Sequence, residues 1–140
     1  MIYIGSDHAG FLLKEKIKIF LKQQKEEVKD FGCFSEESCD YPDIAKAVCL
    51  NLKEGQDKAI LVCGTGVGMA IVANKFSHVR AVCASEHYSV KFSRLHNNSN
   101  VLCIGARVVG EGVALELIDV FLKTNFERGR HEKRVEKIKI

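Results

Sequence analysis

Cys63 is the residue of this sequence that is best placed to do chemistry, because a glycine-rich loop follows it directly. The loop consists of Gly64, Thr65, Gly66, Val67 and Gly68. Three glycines in five residues let the backbone turn tightly and aim several N–H groups at one point. Such a nest stabilises negative charge, either on a phosphate or on an enolate oxygen that forms during a reaction. The loop therefore predicts an anion site beside a thiol.

Two interpretations of Cys63 follow from the residues alone. As a thiolate, favoured by the positive potential at the start of the next helix, it could serve as a base. As a small apolar side chain it would belong to the core, like most of the other five cysteines. The six cysteines contain no C-x-x-C pair and lie mostly in apolar runs, so they predict neither a disulfide framework nor a metal site.

Nucleotide binding is an alternative use of the glycine loop. A dinucleotide loop requires a third glycine or alanine where this sequence has Met69, although Glu86 lies at about the distance expected of the acidic partner. A Walker-type loop is excluded, because no Lys-Ser/Thr pair follows the glycines. Residues 123–140 carry seven Lys/Arg against three Glu, but one short basic patch without interleaved aromatics fits a small anionic ligand at least as well as nucleic acid.

The basic stretch contains a pair of arginines suited to phosphate. Arg130 and Arg134 are four residues apart, so they share one face if residues of about 127–139 form a helix. Two guanidinium groups side by side match the geometry of a phosphate. The alternative is a solvated helix whose arginines pair with Glu127, Glu132 and Glu136.

Other polar residues stand near the predicted strand ends and helix ends. Asp7 and His8 follow the first strand, and Asp7 is equally well placed to cap a helix. Tyr41 marks the entry to another helix, and Arg107 follows the fifth strand. His96 and Asn97 end a helical stretch, where a histidine is more commonly a cap or a surface residue than a catalyst.

The elements that must position these residues alternate along the chain. Short apolar runs predict strands at Ile2–Gly5, Val28–Phe31, Ala59–Cys63, Val79–Ala84 and Val101–Gly105. The later runs are apolar on consecutive positions, as expected of strands that are covered on both faces. Amphipathic helical patterns separate them. Alternation of this kind predicts an α/β fold, a Rossmann-like three-layer α/β/α domain with a five-stranded parallel sheet. In such sheets ligands bind beyond the carboxyl ends of the strands.

Length and composition limit the number and the kind of domains that the chain can form. A chain of 140 residues, 46% of them hydrophobic, suffices for one domain over 1–140 and is too short for two. No segment approaches the roughly 18 apolar residues of a membrane span. The N-terminus shows no signal-like leader, so we expect a cytoplasmic protein without a membrane partner.

Taken together, the motifs resemble the ribose-5-phosphate isomerase B family, in the group that includes allose- and galactose-6-phosphate isomerases. The resemblance covers nearly the whole chain. It rests, in order, on Gly5 to Phe11, Asp40 to Asp43, Cys63 to Gly68, Ala73 to Lys75, Arg80 to Val82, Ser93 to Asn97, Gly105 to Gly110 and Gly129 to His131.

The resemblance implies roles that the residues alone left open. It implies that Cys63 is the base and that His96 assists opening of the sugar ring, with Thr65 passing a proton between two substrate oxygens. The implied substrate contacts are Asp7, His8, Tyr41, Gly64, Thr65, Gly66, Val67, Gly68, Asn97, Arg107, Arg130 and Arg134. Members with a carboxylate base carry a glutamate where this chain has Met69, so the chain is similar to the cysteine type.

The implied activity is aldose–ketose isomerisation of ribose 5-phosphate and ribulose 5-phosphate through an enediolate, without a cofactor or metal. A six-carbon sugar phosphate, such as allose or galactose 6-phosphate, is the alternative substrate, and a non-catalytic nucleotide-binding domain is the alternative class. The resemblance further implies that His96, Asn97 and Arg107 reach into a partner's site. We therefore expect a homodimer with shared active sites, with a tetramer left open, and no nucleic acid partner.

Overall fold

The computed structural model describes residues 1–140, and strands and helices alternate along the whole chain. The strands are β1 (Ile2–Ser6), β2 (Val28–Asp30), β3 (Lys58–Cys63), β4 (Ala81–Cys83) and β5 (Val101–Gly105). They form one sheet in the order β2-β1-β3-β5-β4, and every pairing is parallel. Because β3 and β5 lie in the middle of the sheet and are covered on both faces, they read as unbroken apolar runs.

The helices lie on both faces of this sheet. They are α1 (Phe11–Gln23), α2 (Tyr41–Asn51), α3 (Val67–Ala73), α4 (His87–Asn97), α5 (Glu111–Lys123) and α6 (Arg130–Glu136). One core cluster joins the sheet to α1, α4 and α5 around Ile17 and Phe121, and a second joins it to α2 and α3 around Val48 and Met69. The predicted three-layer α/β/α fold with a five-stranded parallel sheet is confirmed.

Three predicted elements are longer in the sequence pattern than in the structure, the second strand by one residue. The fourth strand is only Ala81–Cys83, since Arg80 donates a backbone N–H to the Asn100 side chain outside the strand ladder. The predicted helix of about 127–139 is the seven-residue α6. It cannot begin earlier, because Arg128 and Gly129 have φ angles of 67° and 60°, in the left-handed region.

A buried ion pair fixes the chain after β2. Lys14 on α1 is fully buried, and its ammonium donates to both carboxylate oxygens of Asp30 at 2.8 Å and to the Cys33 carbonyl at 2.6 Å. Lys18 donates to the same carboxylate at 2.8 Å. Burial opposes ionisation of Asp30, but the hydrogen bonds from Lys14 and Lys18 outweigh it and lower the pKa of this carboxyl group. The segment that leads to Tyr41 is thereby tied to the sheet.

None of the six helices is both long enough and apolar enough to cross a bilayer.

Candidate active site

A cavity of about 410 Å³ opens at the carboxyl edge of the sheet, where β1 and β3 end. Its walls come from the end of β3, the glycine loop, α3, Asp7 after β1 and the first residue of α2. It is lined by Asp7, Tyr41, Cys63, Gly64, Thr65, Val67, Gly68 and Ile71. The position follows from the parallel topology, because the carboxyl ends of neighbouring strands meet at one edge.

Cys63 is held at this edge by backbone contacts on both sides. It is the last residue of β3, and its carbonyl accepts the N–H of Ala106 at 2.8 Å from the end of β5. The Gly66 N–H donates to the Cys63 Sγ at 3.1 Å. Only 5% of Cys63 is exposed, yet the residue lines the cavity. The contact with Gly66 therefore fixes the sulfur at the wall of the cavity.

Two glycines of the loop are required by the geometry. Gly66 has a φ of 82°, which L side chains rarely adopt, and a Cβ there would lie 3.0 Å from the Ile104 backbone. A Cβ on Gly68 would lie 2.7 Å from the Tyr41 ring. The loop can therefore curl around Cys63 and face Tyr41 only because these positions lack side chains.

The loop also has amide groups that are free to bind a ligand. The N–H groups of Gly64 and Thr65 donate to no backbone acceptor. The Thr65 hydroxyl accepts the Val67 N–H at 3.3 Å, and the Thr65 side chain is exposed to the cavity. Gly64 and Thr65 line the same cavity as Cys63, and unpaired N–H groups of this kind stabilise an oxygen that gains negative charge.

Asp7, His8 and Tyr41 complete this edge. Asp7 is 7% exposed, and its Oδ1 accepts the Gly10 N–H at 3.1 Å, so it does stabilise the turn before α1 while it also lines the cavity. His8 Nδ1 accepts the Cys39 N–H at 3.3 Å. A neutral His8 therefore carries its proton on Nε2, which makes that nitrogen a donor. Tyr41 is 39% exposed at the start of α2.

Arg107 lies at the same edge of the sheet. Its backbone N–H donates to the Gly64 carbonyl at 3.0 Å, and its guanidinium passes within 3.5 Å of the position that a Cβ on Gly64 would take. The side chain is exposed. Arg107 thus lies beside the glycine loop of its own chain, whereas the resemblance implies that it reaches into a partner's site with His96 and Asn97.

His96, Asn97, Arg130 and Arg134 line a different cavity, of about 240 Å³. The crossover from β4 to β5 explains the separation, because α4 must run back from the carboxyl edge of the sheet to the amino edge. Its 11 residues make it about 16 Å long. His96 and Asn97, at its end, therefore lie at the opposite edge from Cys63 and Arg107. The structure does not bring the predicted residues together within one chain.

The surroundings of His96 include two residues that the sequence did not single out. The His96 ring stacks on the His131 ring with centroids 4.1 Å apart, and His96 Nε2 is 3.8 Å from a carboxylate oxygen of Glu127. His131 is 4% exposed, and its Nε2 has no hydrogen-bond partner. Burial, with added repulsion from His96 and Arg130, lowers the pKa of His131. A neutral His131 can stack on His96 without repelling it.

These three side chains also form a potential metal-ligand group. The ligand atoms of His96, Glu127 and His131 lie within 4.8 Å of one another. No spacing in the sequence predicts this cluster, because the cluster depends on the packing of α6 against α4. Arg130 and Arg134 line the same cavity, and their charges oppose a bound cation.

The acidic residue considered for dinucleotide binding has another role. Both carboxylate oxygens of Glu86 accept the Ser89 N–H, at 3.2 and 3.0 Å, so Glu86 is the N-cap of α4. Its carboxylate is engaged there, which removes the main support for a dinucleotide site.

Comparison with known proteins identifies the group to which these features belong. Residues 2–138 match the family described as Ribose/Galactose Isomerase. The chain is 49% identical to ribose-5-phosphate isomerase B of Escherichia coli strain K12, over 98% of this chain and 93% of that protein. Its structure is similar to that of Clostridium thermocellum ribose-5-phosphate isomerase B, with a TM-score of 0.94, 46% identity and coverage of 98% and 93%.

A third similar structure carries a ligand. It is ribose-5-phosphate isomerase B from Mycoplasma genitalium with bound ribulose-5-phosphate, which matches with a TM-score of 0.89 and 40% identity. The match covers 98% of this chain and 92% of that one. The resemblance predicted from the sequence motifs is confirmed.

Proposed function

This chain belongs to the ribose/galactose isomerase family, and we propose that it interconverts ribose 5-phosphate and ribulose 5-phosphate. The observation that carries the proposal is the Mycoplasma genitalium relative, which binds ribulose-5-phosphate on the same fold. The Escherichia coli relative bears the same activity in its name at 49% identity. These relatives favour the five-carbon substrate over allose or galactose 6-phosphate.

Isomerisation moves a proton between two neighbouring carbons through an enediolate. Cys63, as thiolate, would take the proton from the carbon next to the carbonyl and return it to the neighbouring carbon. The free N–H groups of Gly64 and Thr65 would stabilise the enediolate oxygen. One such donor contributes about 10²–10³ in rate in other enzymes. The Thr65 hydroxyl would pass a proton between the two substrate oxygens.

The phosphate end requires positive charge, which the Cys63 cavity itself lacks among its lining residues. Arg130 and Arg134 share the second cavity with His96 and Asn97. A site that uses both groups must therefore be assembled from two chains, with the glycine loop of one facing the α4 end of the other. This supports a homodimer with shared active sites, in which Arg107 is a further contact on the glycine-loop side.

His96 would then open the sugar ring in its partner's site. The ring is 35% exposed at the end of α4, so it can reach a ligand, and the carboxylate of Glu127 stands behind it. A histidine can exchange a proton with the furanose ring oxygen near neutral pH.

The proposal is tested by a panel of sugar phosphates with wild type and Cys63→Ala. We expect wild type to convert ribose 5-phosphate, and Cys63→Ala to fold normally while it loses at least about 10³ in turnover, since the base is absent. Cys49→Ala removes a thiol on α2 that does not line the cavity, and it serves as the matched control. Near-normal turnover by Cys63→Ala would refute the assignment, and preference for six-carbon phosphates would change the substrate.

A further inference from the structure

A third cavity, of about 460 Å³, lies at the amino edge of the sheet and has no part in the proposed reaction. It opens beside the starts of β3 and β5 and beneath the end of α4. Phe126 is the only apolar residue among those that line it. Such a polar cavity needs a polar occupant.

The side chains around this cavity are strongly unbalanced in charge. Lys58, Arg80, Arg94 and Arg128 line it, against the single carboxylate of Asp57. That carboxylate is engaged elsewhere: one oxygen accepts the Lys53 N–H at 2.9 Å, and the other lies 3.7 Å from the N-terminal ammonium. Asp57 therefore does little to neutralise the basic groups that face the cavity.

Arg94 is the centre of this imbalance. It is 5% exposed, and its guanidinium donates only to neutral acceptors: the Thr124 carbonyl and the Asn98 side chain, each at 3.0 Å, and the Ser99 carbonyl. Burying a cation without a carboxylate partner is costly. Burial and the nearby Arg80 lower the pKa of Arg94.

The neighbouring lysine shows the same excess of positive charge. Lys58 is half-buried, and its ammonium donates to the Leu122 carbonyl at 3.3 Å. Burial, together with repulsion from Arg94, lowers the pKa of Lys58. Of the other two cations, Arg80 pairs with Glu54 at 2.9 Å and Arg128 with Glu132 at 3.1 Å. Two of the four cations thus lack an acidic partner.

We propose that this cavity is a second anion site, which binds a small polyvalent oxyanion of the phosphate class. Guanidinium groups at its wall suit the oxygens of a phosphate, and the amide side chains of Asn98 and Asn125 supply further donors. An anion there neutralises Arg94 and Lys58 at once. The site is distinct from the cavity of Arg130 and Arg134, which shares none of its lining residues.

The site is connected to the end of α4. Arg80 Nε donates to the carbonyls of Asn97 and Asn98 at 3.0 and 3.1 Å, and Arg94 holds the Ser99 carbonyl. Asn97 ends the helix that carries His96. An anion that draws on these two guanidinium groups therefore acts on the contacts that fix the position of His96.

The test is calorimetric titration of pyrophosphate into the full-length protein at constant ionic strength. The Arg130→Gln/Arg134→Gln variant serves as the parent, so that the proposed substrate arginines do not contribute. We expect this parent to bind pyrophosphate, and added Lys58→Gln or Arg128→Gln to weaken the binding by about tenfold, as the loss of one charge-assisted hydrogen bond predicts. Lys46→Gln, an exposed lysine on α2, is the matched control and should change the affinity by less than about twofold.

Arg128 is 74% exposed, so its replacement tests the site even where Lys58→Gln fails to fold. Titration of inorganic phosphate and of ribose 5-phosphate into the same parent separates a site for free phosphate from one for a phosphate ester. Absence of pyrophosphate binding in the parent overturns the second site. Equal affinity for the Lys58, Arg128 and Lys46 variants overturns it as well.

Discussion

The two halves of the proposed active site are held in place in different ways. Around Cys63 the contacts are made by backbone groups at the ends of β3 and β5, which are buried strands in the middle of the sheet. Around His96 the contacts are made by side chains that are 35% and 48% exposed, for His96 and Glu127. They depend on α6, a helix of only seven residues.

This difference indicates which half is built in advance. The glycine loop is fixed by the fold of a single chain and presents its thiol and amides whether or not a partner is present. The His96 half has few buried contacts of its own, and regions of that kind open at lower free energy than core strands. We therefore expect the first half to set the chemistry and the second half to be ordered by the substrate phosphate or by the partner chain.

The largest effect is expected from combining defects in the two halves. Cys63→Ala and His96→Asn, each nearly inactive on cyclic ribose 5-phosphate, are co-expressed with different tags and purified as a heterodimer. If each site takes Cys63 from one chain and His96 from the other, one site is intact and about half of the wild-type activity returns. The control heterodimer of Cys63→Ala with Thr65→Val has both defects in one half and should stay inactive. Activity no higher than that control would mean that the halves are not shared.

The second-largest effect is expected in the half of the site around Cys63 and the glycine loop. Gly66→Ala places a Cβ at a φ of 82° and 3.0 Å from the Ile104 backbone, and it tilts the N–H that donates to the Cys63 sulfur. We expect turnover to fall by about 10² and stability by about 1–2 kcal/mol. Gly112→Ala is the matched control, since nothing lies within 4 Å of its added Cβ and alanine favours the helix α5. Turnover within a few-fold of wild type for Gly66→Ala would show that the loop tolerates distortion.

The same contrast separates the structural features that the sequence predicts from those that it does not. Consecutive apolar residues in β3 and β5 predict buried parallel strands, and the parallel topology then places Cys63 and Arg107 at one edge. The glycine pattern predicts a tight turn there. All of these inferences use local periodicity and the geometry of parallel sheets, and the structure agrees with them.

The His96 half was less accessible to such reasoning. No local pattern predicts that α6 packs on α4, and so none predicts the stacking of His131 on His96. Pairing of Glu127 with the tail arginines is one of two alternatives in the sequence, whereas its carboxylate lies near His96 and His131. The start of α6 differs from the prediction because Arg128, a residue with a side chain, adopts a positive φ. These features are set by tertiary contacts, which a single sequence does not display.

A smaller effect is expected from the contact behind His96. Glu127→Gln replaces the carboxylate that lies 3.8 Å from His96 Nε2, so the contact behind the His96 ring is weakened. We expect kcat/KM for cyclic ribose 5-phosphate to fall about three- to tenfold. An open-chain substrate should be unaffected, because it needs no ring opening. Glu132→Gln, an exposed glutamate paired with Arg128, is the control. Equal losses for both substrates would contradict a role of Glu127 in ring opening.

The smallest effect is a pH dependence confined to the His96 half. Burial, His96 and Arg130 lower the pKa of His131, so the folded chain binds this proton less readily than the unfolded chain. The packing of α6 is therefore fully stable above about pH 6.5 and weakens as the pH falls below the ordinary histidine value. Amide hydrogen exchange of α6 between pH 7.5 and 5.5, corrected for the intrinsic exchange rate, should show loss of protection in wild type.

His131→Gln should remove that pH dependence, while His87→Gln, which replaces an exposed histidine, should keep it. The amide exchange rates in β3 and β5 should stay unchanged over this pH range, because these two strands contain no histidine. Uniform loss of protection in both halves would mean that α6 unfolds only with the whole chain.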